Sequence, residues 1–209
     1  MTRRQFFTVT AISRALAAAP NAVVVPVHHI IDSMAKWAPG EVERFWRRLW
    51  PAASTQLGRC GVRFESSFGT GGVWRPPGRE PVVSGLERHM LNLVITNRIP
   101  MEWDRGRTLN GVTACYRGFH LCMIAMDHAH GLEVPLVSVN TCTHELLHAL
   151  MLDIFEDRPG GVAGQWREFR IDWYATRLWL GTSSAEVRES ARQYVSRLKQ
   201  GSSGGNEVE

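Results

Sequence analysis

Between Gly40 and Arg59 the apolar residues Val42, Phe45, Trp46, Leu49 and Trp50 recur every three to four positions, with Glu41, Glu43, Arg44, Arg47 and Arg48 between them. That spacing predicts an amphipathic helix, with Pro51 as its kink point. The period shortens to two at Cys60-Gly-Val-Arg-Phe-Glu, which predicts a strand, and the Gly-, Pro- and Arg-rich stretch from Gly69 to Pro81 predicts a long surface loop. Leu91-Asn-Leu-Val-Ile-Thr is the clearest strand. Turn-forming residues fill Pro100 to Gly111, after which Val112 to Tyr116 and His120 to Met126 predict two more strands. Helical spacing returns from Thr141 or Thr143 to about Phe155, from Gln165 to about Leu180, and from Ser184 to about Leu198. Gly201 to Glu209 is a polar tail, expected to be disordered. No segment repeats another. A helix, several short strands and then two or three helices predict an α+β domain, one small mixed sheet backed by helices.

Length and composition narrow this only slightly. The 209 residues suffice for one domain with a core and are too few for two domains and a linker. With 44% hydrophobic and 21% charged residues, the chain is neither disordered nor collagenous nor a coiled coil. The expected division is a leader at 1–19, a domain at 20–200 and a tail at 201–209. No apolar run reaches the roughly 18 to 20 residues of a membrane span, because Arg14 and Pro20 interrupt the longest one. The formal charge of +4 does not indicate nucleic acid. Arg3, Arg4 and Arg14 precede residue 20 with no acid among them, which leaves the remainder near neutral, and a phosphate-tracking surface needs clustered cations. Arg44, Arg47 and Arg48 are the solvated face of the first predicted helix.

The chemistry is concentrated in His144-Glu145-Leu146-Leu147-His148. Residues four apart on a helix lie one turn above each other, so both imidazoles of this HExxH sequence can face one metal ion, with Glu145 beside it. Zn²⁺ suits such a pair. Thr141 or Thr143 is placed to cap the helix, and Leu146, Leu147, Ala149 and Leu150 to bury the rest of its surface. A catalytic zinc normally has three protein ligands and one open position, so a third ligand is required. The metzincin pattern is excluded, since Met151 and Ile154 stand where it needs glycine and histidine. Asp153, Glu156 and Asp157 follow His148 too soon for a straight helix to return them. Glu168 and Asp172 lie one turn apart in the next predicted helix, beyond a Pro159-Gly160-Gly161 turn, so an antiparallel helix pair can carry them back.

His144-Glu145-x-x-His148 followed by Glu168-Phe-Arg-Ile-Asp172 resembles the gluzincin metallopeptidases, thermolysin among them. The continuation Asp172-Trp-Tyr174-Ala175-x-x-Leu178 is also similar to the corresponding helix of ImmA-type peptidases. The likeness covers residues 141 to 180. It implies a zincin-like fold, one Zn²⁺ held by His144, His148 and Glu168, and Asp172 supporting a ligating histidine. It implies further that zinc-bound water reaches a pKa of about 7, and that Glu145 moves its proton to the leaving amine as a peptide bond is cleaved. An oxyanion donor is sought among Tyr174, Tyr116, His120, His128 and His130, and the strand from His120 to Met126 is the expected sheet edge for an extended peptide.

Other histidines, cysteines and tryptophans have ordinary expected roles. His28-His29 and the His128/His130 pair read as capping, surface or core residues rather than a second metal site. Trp46, Trp50, Trp166, Trp173 and Trp179 sit in helical patterns and are expected in the core. Cys60, Cys115, Cys122 and Cys142 contain no CxxC pair, which argues against a thiolate zinc site, and their even number fits disulfides as well as buried free thiols. Thr2-Arg3-Arg4-Gln5-Phe6-Phe7 resembles a twin-arginine export motif, and Ala15 to Ala19 offers a cleavage site, best after Ala17. The chain therefore reads as an exported zinc-dependent peptidase acting on a peptide or protein. A zinc-binding protein without turnover is the rival, and a cytoplasmic ImmA-type regulatory peptidase the third possibility. Glu145 favours the enzyme, because a structural site has no use for an unligated base.

Overall fold

The hydrophobic pattern predicts no element before Gly40, yet Val23–Asp32 forms β1, around which the sheet is built. Its near-continuous apolar run is what burial on two faces selects, and Pro26 disguises it. The proline is tolerated because β1 meets the strand on one of its sides only from Val27 onward. In this computed structural model the structure describes residues 21–38, 40–75, 80–99, 110–126, 135–151 and 161–200, without the side chains of 135–140 and 161–164. The expected leader at 1–19, the tail at 201–209 and His128 and His130 lie outside these residues.

After β1 come α1 (Glu41–Arg44), a π-helical turn (Phe45–Leu49) and α2 (Trp50–Gly58). The π-helical turn ends two residues before Pro51, which falls in the first turn of α2, where its missing N–H costs least. Next are β2 (Val62–Trp74), β3 (Val82–Ser84), β4 (Leu91–Thr96), β5 (Gly111–Tyr116) and β6 (Phe119–Ala125). Three helices close the described chain: α3 (Pro135–Leu150), α4 (Gly161–Trp179) and α5 (Ala185–Gln200). The sheet order is β3-β2-β1-β4-β6-β5. The inner four strands are parallel, and β3 and β5 run antiparallel at the edges. The α+β class, with one mixed sheet backed by helices, is thus as expected.

Three expectations need correction. The loop predicted from Gly69 is strand as far as Trp74. Its glycines mark close approach: a Cβ at Gly69 would lie 2.4 Å from His28 Nε2, and one at Gly71 2.2 Å from the Ser84 carbonyl oxygen. The strand His120 to Met126 is not a sheet edge, because β6 lies between β4 and β5. Finally, Trp46 and Trp50 are buried, but Trp166, Trp173 and Trp179 on α4 are exposed. Arg117 and Gly118 both have positive φ, which gives the two-residue turn that sets β5 beside β6.

Alternation along the strands sorts the interior into two clusters. Val25, Val27, Leu93, Ile95, Cys122 and Ile124 face the helices and pack with Leu49, Leu57, Leu146, Leu150, Ile171 and Tyr194. Ile30, Val73, Val94, Val112, Leu121 and Met123 form a smaller cluster on the other face. Among the described residues, no helix is long and apolar enough to cross a membrane.

Asp32, at the end of β1, is fully buried. Its Oδ1 accepts the backbone N–H of Met34 (3.0 Å) and Val73 (2.9 Å), and its Oδ2 accepts the Thr96 hydroxyl at 2.7 Å. Asp32→Ala strands three donors at about 1–3 kcal/mol each, so urea denaturation should show a loss of roughly 3 kcal/mol or more. A loss under about 1 kcal/mol would contradict this role.

His29 is buried in a ring of aromatics, its centroid 4.6 Å from both Trp46 and Trp50 and 5.1 Å from Phe68. Its Nε2 lies 3.0 Å from the Ser66 hydroxyl. Burial, helped by the charge of His28, lowers its pKa to about 3. Below the ordinary value of about 6.5 the unfolded chain binds a proton that the folded chain refuses. Stability should therefore fall as pH drops from 6.5 toward 3, by up to about 1.4 kcal/mol per unit from this residue. Denaturation at several pH values should give His29→Leu a shallower slope over that interval, and an unchanged slope would contradict the assignment.

Candidate metal centre

The helix α3 carries the HExxH residues in its last two turns. It begins at Pro135, so Thr141 and Thr143 are interior residues rather than caps. The Thr143 hydroxyl instead donates to Gln56 Oε1 (2.8 Å), a buried bond that ties α3 to α2. Leu146, Leu147, Ala149 and Leu150 are buried in the main core, so the helix has one fixed rotation about its axis. That rotation leaves His144 and His148 facing α4 and Glu145 facing β5.

Three donor atoms converge there. His144 Nε2 and His148 Nε2 are 2.9 Å apart, and Glu168 Oε2 lies 3.3 Å from each. The three residues form a cluster able to hold a metal ion, the one found among the described residues. A tetrahedral ion with bonds of about 2.0–2.1 Å separates its donors by about 3.3 Å, close to these spacings. Asp172 Oδ1 lies 3.0 Å from His144 Nδ1. When Nδ1–H donates to Asp172, His144 Nε2 is left with a lone pair directed into the cluster, which is how a carboxylate fixes the tautomer of a ligand. The Glu168 side chain is 59% exposed, whereas His148 is 11% exposed, so the cluster opens to solvent on its α4 side.

The charges respond to this crowding. Hydrogen bonds from His144 and then His148 hold the Glu168 carboxyl far below the usual carboxylate range. Burial pushes His144 down, but the Glu168 hydrogen bond and the charge of Glu145 outweigh it, and its pKa is raised.

Glu145 is buried, and that desolvation raises its pKa despite the neighbouring histidines. The Thr113 hydroxyl on β5 lies 2.8 Å from Glu145 Oε2 and 2.9 Å from the Glu145 carbonyl oxygen. A Cβ on Gly111 would sit 2.5 Å from Glu145 Cγ and 2.7 Å from Oε1, so only glycine leaves room for this side chain. Neither residue announces itself in the sequence. Gly111 falls among turn-forming residues, and nothing short of sheet register relates Thr113 to a helix 32 positions later.

The described oxyanion candidates point elsewhere. Tyr174 is buried and its hydroxyl donates to Glu186 at the start of α5, because two residues beyond Asp172 is nearly the opposite side of a helix. The Tyr116 hydroxyl donates to the Pro81 carbonyl at 3.0 Å and packs with the smaller core. His120 Nδ1 lies 3.1 Å from the Tyr194 hydroxyl, and burial lowers its pKa to about 4. His28 Nδ1 lies 2.8 Å from the Ser67 hydroxyl, far along the chain from the metal cluster. All four cysteines are free thiols, three of them buried. Burial and then Glu145 push the Cys142 thiol up to about 12, so it is no competing thiolate ligand.

No family model, no curated protein and no solved structure matches the chain.

Proposed function

We propose that the chain is an exported zinc-dependent peptidase with a zincin-like arrangement of an HExxH helix beside an antiparallel edge strand. The convergence of His144, His148 and Glu168 on one point carries this reading. Two imidazoles and a carboxylate are the donor set of a catalytic zinc site, and the thiols that a structural site would use are absent from the cluster. When bound, the ion supplies a Lewis acid that activates water at neutral pH and polarises a carbonyl group.

The chain's own groups supply the rest. Thr113 holds Glu145 Oε2 and so fixes the carboxylate that takes a proton from the attacking water. Burial raises the Glu145 pKa, so the carboxyl can hold that proton until the C–N bond breaks and the leaving nitrogen receives it. A C–O bond forms, a C–N bond breaks, and the products are a carboxylate and an amine. Asp172 fixes the His144 ring, and Glu168 balances the charge of the ion. Among the described residues β5, next to Glu145, is the last strand of the sheet, beside which an extended peptide can add as a further strand. Residues 2–7 support export.

Digestion of a mixed peptide library by the purified chain, with and without a zinc chelator, tests the proposal. Cleavage that the chelator abolishes and zinc restores is expected. Zinc binding without cleavage of any peptide would favour the non-catalytic alternative.

A further inference from the structure

Helix α4 has a second apolar face that the metal centre does not use. Ile171, Tyr174, Ala175 and Leu178 turn into the core, and Glu168 and Asp172 face His144. On the outer side, roughly 100–160° around the axis from Glu168, lie Phe169, Trp173 and Trp166, continued just past the helix end by Leu180. Their exposures are 62%, 45%, 66% and 74%. Soluble surfaces scatter such residues singly, so a contiguous row of them marks an interaction site.

The flanking charge identifies the kind of partner. Arg170 and Arg177 border the row on the side away from the metal cluster, and the Arg177 guanidinium lies 4.5 Å above the Trp173 ring. Apart from Glu168 and Asp172, which face His144, every charged residue of α4 is an arginine. Tryptophan and phenylalanine bordered by arginine suit the interface between lipid headgroups and acyl chains, where rings insert and cations meet phosphate.

A second copy of this chain fits less well. The row exposes on the order of 500 Å², short of the ~800 Å² per partner of a stable interface. Antiparallel pairing about a two-fold axis would also set the arginine edge of one row against the same edge of the other.

We propose that α4 is an interfacial helix that docks the folded protein on an anionic lipid surface through Trp166, Phe169, Trp173 and Leu180. The proposal is independent of metal binding and of peptidase activity. In the docked state the metal cluster, on the adjoining side of the same helix, lies close to the membrane plane.

Co-sedimentation of the full chain tests it, with vesicles of phosphatidylcholine alone and vesicles of equal parts phosphatidylcholine and phosphatidylglycerol. The expected results are preferential binding to the anionic vesicles, weakening with added salt, and loss of about tenfold or more of that binding in W166S/F169S/W173S. A double variant, R170Q/R177Q, should lose the preference for anionic vesicles, and W74S, which removes an exposed tryptophan of β2, should bind like wild type. Thermal melts confirm that each variant is folded. Equal binding to both vesicle types, or wild-type binding by the folded triple variant, would overturn the proposal. A wild-type dimer that the triple variant dissociates would do so as well, because the row would then be a subunit interface.

Discussion

Glu145→Gln is expected to retain metal and lose turnover by about 10²–10⁴-fold. Glutamine has the same shape and still presents an acceptor to the Thr113 hydroxyl, which lies 2.8 Å from Glu145 Oε2 in the wild-type protein. The substitution removes only the ability to take and return a proton. Because Glu145 lies against β5, clear of the three converging donor atoms, the metal content should not change. Metal analysis and peptide-cleavage kinetics on one preparation give both readings. Equal cleavage rates for Glu145→Gln and wild type would remove the proposed general base.

The second large effect is expected at Glu168. Supporting residues such as Asp172 typically contribute 10–100-fold to metal affinity, so loss of the Glu168 donor itself should cost more than about 100-fold. Glu168→Ala should also lose the stabilisation that an ion confers on the folded chain, about 2.7 kcal/mol when free metal is 100 times its dissociation constant. Zinc titration followed by thermal unfolding reads both quantities. Because the Glu168 side chain is mostly exposed, the metal-free variant should unfold near the metal-free wild type. Zinc affinity unchanged by Glu168→Ala would mean that another group completes the cluster.

How much of this was legible in the sequence depended on whether the signal was local. Leu91 to Thr96 stands out because a strand buried on both faces must be apolar throughout, and β4 has those bounds. The histidine pair is legible because four residues make one helical turn. Glu168 and Asp172 also keep that spacing, and only an antiparallel helix pair can bring them back. What failed was non-local. Gly69 and Gly71 look like loop residues, but they are glycines because neighbouring strands approach too closely for a Cβ. Thr143 looks like a cap, but its partner is Gln56, 87 residues earlier. The tryptophans of α4 follow a helical period without lying in the core, because periodicity reports that a face is apolar and not what covers it. Thr113 reaches Glu145 through the register of an edge strand, which no motif encodes.

The proposed peptidase requires that two helices bring two imidazoles and one carboxylate onto a single zinc ion. X-ray absorption at the zinc edge, on the zinc-loaded wild type and on Glu168→Ala, tests it most directly. One zinc per chain is expected, with two imidazoles and only oxygen donors besides them, and the set of donors should change when Glu168 is removed. A sulfur donor, or identical spectra from the two proteins, would contradict it.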